Sequence, residues 1–370
     1  MTKPSARPAT AARGGPAVRI GALAPLTRPG WTEAGRHLLA GLEQGVHDAN
    51  AAGGIDGTPL ELVVRDTAAD PGRAAAAVDE LAGLGVVALA GEYHSVVARA
   101  AAARAGEAGL PFLCSSAVLD ALTDHPAEGV ARIAPAQSHG WRIYADHLLD
   151  AGHRHIAVAA DASVYWAAGT RVLRDRLGAH GGTVTRLDTA VLGPPALCDA
   201  LADGDATALL LLAGYPDPVT RIAGAVRRDR RLADLLIGAP AGQPEFAGWA
   251  EALGADGAAV PFLRYLPERL GPLGTRVAGA LRGRLGGEPS FVGFEGWDTI
   301  AVLADVLRKQ GPDRVRTGVD WGGVETEVTR GPVRFARTPG TGVWQWTWAP
   351  VQVVDRDPSD PGRFRVLRGG

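Results

Sequence analysis

The sequence predicts an α/β protein with two doubly wound parallel-sheet lobes joined by a three-crossover hinge. Two series of short, continuously apolar runs alternate with Ala- and Leu-rich stretches of helical periodicity. Strands that are apolar along their whole length are buried on both faces, which is typical of parallel sheets covered by helices. A chain of 370 residues is long enough for two such lobes.

Each series contributes a set of expected strands. Those of the first series are Val18–Ala24, Leu60–Asp66, Val86–Gly91 and Leu110–Ser115. Those of the second series are His155–Asp161, Thr183–Ala190, Ala206–Gly214 and Leu235–Pro240. Between most of these runs, apolar residues recur at helical spacing, as Leu39, Leu42 and Val46 do. The expected helices are Glu33–Asn50, Ala74–Leu84, Val96–Ala108, Ser138–Ala151, Val164–His180 and Val219–Arg231.

The remaining segment, Pro261–Gly370, is too short and too irregular for a third lobe. Its expected elements are the helices Leu266–Leu285 and Val292–Gln310 and the strands Pro332–Ala336, Val343–Trp348 and Val351–Asp355. We therefore expect residues 18–133 and 261–338 to form the first lobe, and residues 134–260 and 339–370 to form the second. The chain then crosses three times, near Ile133, Val260 and Thr338, which builds a hinge under a cleft.

Composition and motifs exclude several classes of function. A net charge of −2 argues against a nucleic-acid partner. The longest apolar run, Ala208–Ala213, is far shorter than the roughly 20 residues of a membrane span. The first strand is not followed by a GxGxxG turn, and the chain has no phosphate-binding loop, HExxH or GxSxG motif. We therefore expect a protein that is not an enzyme and carries no cofactor.

The cysteines and the N-terminus give two further expectations. Cys114 and Cys198 are predicted to be free buried thiols, and no Cys/His cluster suggests a metal. Residues 1–17 are basic and rich in Pro and Ala, and we expect a disordered leader. This leader lacks the apolar region of a secretory signal, so a cytoplasmic location is expected if Met1 is the true start.

Polar and aromatic residues recur just beyond the ends of the expected strands. Parallel strands present their carboxyl ends at one edge of a sheet, where helix N-termini and ligands meet. Hydroxyls follow two strands of the first series, and each also has an ordinary alternative as a helix cap or turn residue. Aromatic side chains supply candidate walls from both lobes. The predicted ligand-binding residues are Trp31, Tyr93, Ser95, Ser115, Ser116, Tyr165 and Tyr215.

The segment ANAAGGIDGTPLELVVRDTAADPGRAAAAVDEL resembles the leucine/isoleucine/valine-binding protein family, the type I solute-binding proteins of ABC transporters. Members typically carry a NAxGGIxG turn, a strand that ends in Asp, and a DPxxA sequence. These correspond to Asn50–Gly57, Asp66 and Asp70–Ala74. The resemblance covers about Val18 to Val354. Further matching motifs are Gly91–Ser95, Gly109–Ala117, Ala213–Asp217, Gly296–Leu307 and Gly331–Trp346.

The resemblance implies non-catalytic binding of a small organic ligand, amino-acid-like or a related carboxylate or amide, between lobes that close about a hinge. It implies that Ser95 and Ser115–Ser116 hold a carboxylate and that Tyr165 and Tyr215 shape the ligand's body. It also implies work outside the cytoplasm with an ABC permease. The alternative that remains is an intracellular ligand sensor of the same fold that controls a regulator protein.

Two positions depart from the family's pattern. A loop Thr aligns with Val118, and the acid that pairs with the ligand's ammonium aligns with Pro240. A buried ammonium without a charge partner costs several kcal/mol. The ligand is therefore predicted not to be an ordinary α-amino acid, unless Glu92 or Glu245 replaces the acid.

Overall fold

The computed structural model describes residues 17–369, apart from the side chain of Pro361. The predicted leader, residues 1–17, lies outside the described residues except for Ala17. The helices are α1 Thr32–Ala51, α2 Pro71–Gly83, α3 Ser95–Glu107, α4 Gln137–Asp150, α5 Val164–Gly178, α6 Pro194–Ala202, α7 Val219–Arg228, α8 Ala247–Leu253, α9 Pro272–Leu285, α10 Phe291–Gln310 and α11 Pro312–Thr317.

The strands follow the alternation that the sequence predicts. Both parallel sheets lie between helices, so the continuously apolar strands form the core of each lobe. The strands are β1 Val18–Ala24, β2 Leu60–Asp66, β3 Ala88–Gly91, β4 Phe112–Cys114, β5 Val130–Arg132, β6 His155–Ala160, β7 Thr183–Asp188, β8 Ala208–Leu212, β9 Leu236–Gly238, β10 Phe262–Arg264, β11 Thr326–Val328, β12 Gly331–Val333, β13 Phe335–Arg337, β14 Trp344–Trp346, β15 Gln352–Asp357 and β16 Asp360–Gly369.

The larger sheet has seven strands in the order β13-β14-β5-β4-β3-β1-β2. All its neighbours run parallel except β13, which pairs antiparallel with β14. The second sheet is parallel throughout, in the order β7-β6-β8-β9. A smaller antiparallel sheet has the order β10-β15-β16, and the amide of Ala239 joins the start of β10 to β9 through the carbonyl of Pro261, at 2.9 Å.

The strand pairing corrects the expected assignment of the last hundred residues. β14 was expected in the second lobe, but it pairs with β5 in the first sheet, Trp344 opposite Ala131. β10 was expected in the first lobe, but it pairs with β15 on the second side, Phe262 opposite Val354. An apolar run indicates that a strand is buried and does not indicate which sheet buries it, so these two assignments are wrong.

The turn between α1 and β2 requires an asparagine at position 50 and a glycine at position 54. The side-chain amide of Asn50 donates to the carbonyl of Leu60 at 2.9 Å and accepts the Leu60 amide at 2.7 Å, which fixes the start of β2. Gly54 has φ +69°, and a Cβ there would lie 2.2 Å from the carbonyl oxygen of Thr58. A side chain at this position would therefore be both strained and obstructed.

The helices of the first lobe pack closely because small residues face one another. A Cβ at Gly41 of α1 would lie 2.0 Å from the carbonyl oxygen of Gly293 in α10. α9 begins at Pro272 and not at Leu266, since Pro272 occupies the first turn, where a missing amide hydrogen costs nothing. None of the helices within residues 17–369 combines the length and the apolarity needed to cross a lipid bilayer.

Candidate functional site

A cavity of about 390 Å³ lies between the carboxyl ends of the two parallel sheets. Its walls come from the loops that follow β1, β2, β3, β4, β6, β8 and β9, together with residues after β10 and at the start of α10. This is the edge at which open parallel sheets bind ligands, and the volume suits a small molecule. Six of the predicted residues line it: Trp31, Tyr93, Ser95, Ser116, Tyr165 and Tyr215.

Asp66, at the end of β2, holds the loop that carries Trp31. Its Oδ1 accepts the amides of Leu26 at 2.8 Å, Thr27 at 3.2 Å and Ala68 at 2.8 Å. Burial alone would raise the pKa of Asp66, but these hydrogen bonds and that of the Thr27 hydroxyl lower it below its usual value. The Asp that ends this strand is therefore a structural residue that positions the first wall of the cavity.

Trp31 connects the two sides of the cavity. Its ring lies 5.5 Å from that of Tyr93 on its own side, measured between ring centroids. It also lies 5.0 Å from Tyr215 and 4.5 Å from Phe246, which follow strands of the second sheet. The indole therefore closes one end of the cavity through contacts with both lobes.

The polar end of the cavity is formed by two hydroxyls and the N-terminus of α3. Ser95 Oγ accepts the amides of Val118 and Leu119, both at 3.2 Å, so its own proton is left for another acceptor. Ser116 is buried, and its Oγ lies near the Glu295 carboxyl but makes no hydrogen bond of normal geometry with a described residue. The first amides of α3 have no acceptor within their helix. Together these groups can donate several hydrogen bonds to one anion or carbonyl oxygen.

Ser115 does not line the cavity, and its predicted role in binding is not supported. The hydroxyl of Thr299 in α10 lies 3.1 Å from Ser115 Oγ, so Ser115 faces the helix layer. Ser115 and Ser116 lie in a bend that follows β4, and their side chains point in different directions. Ser116 therefore reaches the cavity while its neighbour is buried against α10.

Three tyrosines crowd the floor of the cavity. Burial raises the pKa values of Tyr93, Tyr165 and Tyr265, so all three hydroxyls stay protonated and can donate. The nearby Glu295 carboxyl also raises the pKa values of Tyr93 and Tyr265. The Ser116 hydroxyl is close enough to Glu295 to lower the pKa of that carboxyl. Burial raises the pKa of Glu295 to about 8, although the Arg330 guanidinium opposes the rise. The floor is therefore polar, and burial favours the protonated form of Glu295.

Arg330 lies beneath this floor and contacts every segment that passes between the sheets. Its Nε donates to Asp298 Oδ2 at 2.6 Å, and its Nη1 lies 3.3 Å from Glu295 Oε1. It also donates to the carbonyls of Ile133 and Tyr265, each at 3.4 Å, and its guanidinium carbon lies 5.0 Å from the centroid of the Trp346 ring. One buried side chain thus contacts three separate segments, at Ile133, Tyr265 and Trp346.

Neither acid that was expected as a replacement for the lost one lines the cavity. Glu92 accepts the Thr67 hydroxyl at 2.7 Å and the amides of Tyr93 and His94 at 2.9 Å each. Glu245 lies 2.9 Å from Arg264. Both carboxyl groups are therefore committed to the protein.

Sequence reasoning missed several lining residues, including His94, Gln243, Tyr265 and Phe291. His94 and Gln243 follow predicted strands, so their position was a usable signal. Tyr265 and Phe291 come from the second crossover and the start of α10, and only the tertiary fold brings them to the cavity.

Within residues 17–369, no three His, Cys, Asp or Glu side chains come together in a group that could hold a metal ion. Cys114 and Cys198 are buried free thiols, as the sequence predicts. Burial raises the pKa of Cys114 to about 12, which suits a packing role and not a reactive one.

Comparison with known proteins gives a consistent result at the level of fold. The chain is 26% identical over 177 residues to Leu/Ile/Val-binding protein homolog 3 of Brucella melitensis, and the match covers 48% of each chain. The chain thus spans about half the length of this curated relative. The crystal structure of the branched-chain amino acid transporter substrate-binding protein LivJ of Streptococcus pneumoniae, in complex with isoleucine, superimposes with a TM-score of 0.81 at 19% identity, covering 96% of this chain and 100% of the other.

A second solved structure, a solute-binding protein of an ABC transporter from R. palustris in complex with benzoate, has a TM-score of 0.78 at 17% identity, and the match covers 96% of each chain. A family model described as "Periplasmic binding protein" matches residues 17–355. The predicted resemblance and fold class are therefore confirmed, and the chain belongs to the periplasmic binding protein family, in its type I, Leu/Ile/Val-binding protein-like form.

Proposed function

We propose that the chain is the substrate-binding component of an ABC importer and that it binds one small organic acid in the cavity between its lobes. The observation that carries this proposal is the polar end of the cavity, where Ser95, Ser116 and the start of α3 converge opposite aromatic walls. The role is one of binding without catalysis. Family members usually work outside the cytoplasm, and an ABC permease is the expected partner.

The polar end suits a carboxylate. The two hydroxyls can donate, the first amides of α3 have no acceptor within their helix, and the positive end of that helix's dipole lies at the same end of the cavity. Charge-assisted hydrogen bonds of this kind are short and strong. The solved relatives named above hold isoleucine and benzoate, and both of these ligands contain a carboxylate.

The opposite walls suit an apolar body of modest size. Trp31, Tyr165, Trp166, Tyr215 and Phe291 surround a space of about 390 Å³, near the lower limit of small-molecule sites. Apolar and aromatic walls stabilise a ligand by burying its surface, and the few polar groups fix its orientation.

Binding would close the two lobes about the three crossovers. On the strand pairing, the first lobe comprises residues 17–133 and 272–346, and the second comprises residues 137–264 and 352–369. On this proposed division the crossovers lie near 134–136, 265–271 and 347–351, which moves the second and third away from the expected positions at Val260 and Thr338. The contacts of Trp31 with Tyr215 and Phe246, and of the Glu33 carboxylate with the Gly248 amide at 3.5 Å, support a state in which the lobes meet.

The proposal is tested by identifying and then rebinding the ligand. Mass spectrometry of small molecules released from the denatured protein supplies the ligand, and calorimetry of the refolded protein measures its affinity. Ser116→Ala is expected to weaken binding by about tenfold, because it removes a donor from a buried site. Ser115→Ala is the matched control, since this neighbouring hydroxyl faces α10, and it should leave the affinity unchanged. Equal affinities for both variants would contradict the proposed site.

A further inference from the structure

We propose that the cavity selects a carboxylic acid that carries no ammonium group, and that the buried guanidinium of Arg132 favours the anion of that acid. This inference rests on the proposed function and names the chemical class of its ligand. It excludes the ordinary α-amino acids as the ligands for which the site is built.

The wall of the cavity carries no formal charge. Among the described residues that line it there is no Asp, Glu, Lys or Arg. Its one imidazole, His94, is neutral at physiological pH, because burial lowers its pKa to about 4 and its Nε2 accepts the amide of Trp31 at 3.2 Å. A zwitterionic ligand would therefore bury its ammonium among uncharged groups, which is strongly unfavourable.

Glu295 is the acid nearest to the floor, and it does not replace the missing partner. It lies behind Ser116 and 3.3 Å from Arg330, and burial raises its pKa to about 8. Because this carboxyl is paired with Arg330 and does not line the cavity, it is not available as the partner of an ammonium in the ligand. Glu92 and Glu245 are held by their own partners and lie outside the wall.

Arg132, at the end of β5, supplies a buried positive charge under the polar end of the cavity. It is fully buried, its Nε donates to Gln345 Oε1 at 2.8 Å, and its Nη1 donates to the carbonyl of Leu119 at 2.5 Å. Its Nη2 has no hydrogen-bond partner among the described residues. The amide of Leu119 in turn donates to Ser95 Oγ, so two hydrogen bonds connect the guanidinium to a hydroxyl of the cavity.

The charge of Arg132 is not balanced by an ion pair with a described residue. The nearby acid, Asp120, accepts the amide of Ser138 at 2.9 Å. Its charge attracts Arg132 through space, without a hydrogen bond or an ion pair between them. Burial lowers the pKa of Arg132, although a guanidinium keeps its proton. An anion at Ser95 and Ser116 would supply the missing negative charge without a contact to Arg132 itself.

The first experiment compares ligands that differ only in the ammonium group. Calorimetric titrations of the ligand-free protein would use leucine against 4-methylpentanoate and phenylalanine against 3-phenylpropanoate, with benzoate as a third anion. We expect the acid without the amine to bind at least about 100-fold more tightly in each pair that shows binding. Tighter binding of leucine or phenylalanine than of its matched acid would overturn the inference and leave the proposed function intact.

The second experiment separates the charge of Arg132 from its structural contacts. The readout is the ratio of the affinities for benzoate and for benzamide, which have similar shapes and different charges. Arg132→Gln should lower this ratio by about tenfold, and Arg132→Lys should largely preserve it. Because loosened packing would weaken both ligands equally, an unchanged ratio in Arg132→Gln would overturn the role of this charge.

If variants of Arg132 do not fold, a substitution of Asp120 tests the same electrostatic effect. Asp120→Asn removes the opposing negative charge and keeps an oxygen that can accept the Ser138 amide. It should raise the benzoate-to-benzamide ratio by about two- to fivefold, and a fall in that ratio would contradict the proposal. If neither the released material nor any probe binds the wild-type protein, the proposed function fails, and this inference fails with it.

Discussion

Replacing Glu295 by glutamine tests whether the floor of the cavity holds a protonated carboxyl. The group is fully buried, and burial raises its pKa from an ordinary value of 4.5 to about 8. The folded protein therefore keeps a proton that the unfolded chain releases. The stabilisation that this proton gives is complete below about pH 4.5 and is lost as the pH rises through about 8.

The size of the effect follows from the shift. Each pH unit between the two pKa values costs the wild-type protein up to about 1.4 kcal/mol of unfolding free energy, or about 4 kcal/mol between pH 5 and pH 8. Glutamine has the same shape, does not titrate, and leaves Arg330 paired with Asp298 at 2.6 Å. Glu295→Gln should therefore become more stable relative to the wild type as the pH rises.

Urea unfolding of ligand-free protein at pH 5, 6, 7 and 8, followed by tryptophan fluorescence, measures this difference. Glu61→Gln is the control, because Glu61 is about half exposed and pairs with Arg19 at the surface. Its substitution should change stability by less than about 1 kcal/mol at every pH. A constant difference between Glu295→Gln and the wild type across this range would refute the reasoning, because Glu295 would then be ionised throughout.

Two other predictions concern the framework of the site. Asp66→Ala should lower the free energy of unfolding by about 1–3 kcal/mol, since it leaves amides of the Trp31 loop without an acceptor, and the same variant should bind benzoate more weakly in calorimetry. Gly41→Ala should cost about 1–3 kcal/mol or more in urea unfolding, because its Cβ would meet the Gly293 carbonyl at 2.0 Å. Gly279→Ala, in the middle of α9 with open space around it, should stabilise by up to about 1 kcal/mol, and a loss there would contradict this packing argument.

The sequence was sufficient to predict the alternation of strands and helices. β1 and β2 occur at their predicted bounds, because each is rich in apolar residues and is bounded by loop or turn residues. Four strands, β5, β10, β11 and β16, were not predicted. β5 has only three residues, and β16 alternates arginines with other residues at an exposed edge, so neither carries the continuous apolar signal. Tertiary pairing decides which sheet β10 and β14 join, and no local sequence pattern encodes that pairing.

The sequence predicts which residues gather at the cavity, but it does not predict the direction in which each side chain points. A hydroxyl after β4 was expected at the cavity, but only the structure shows that Ser116 faces it and Ser115 faces α10. Ser95 was expected to cap α3, whereas His94 occupies that position and Ser95 Oγ holds the Val118 and Leu119 amides. Local sequence determines where such residues occur, and packing determines what they touch.

The contact of Trp31 with both lobes has a consequence for how affinity is set. A protein that must close in order to bind loses apparent affinity in proportion to the fraction of molecules that are open. The contacts of Trp31 with Tyr215 and Phe246 need no ligand, so they set the population of closed molecules before any ligand arrives. Substitution of Phe246, which contacts Trp31 but does not line the cavity, would therefore rescale the affinity for all ligands by a similar factor, whereas substitutions at Ser116 would change the preference among them.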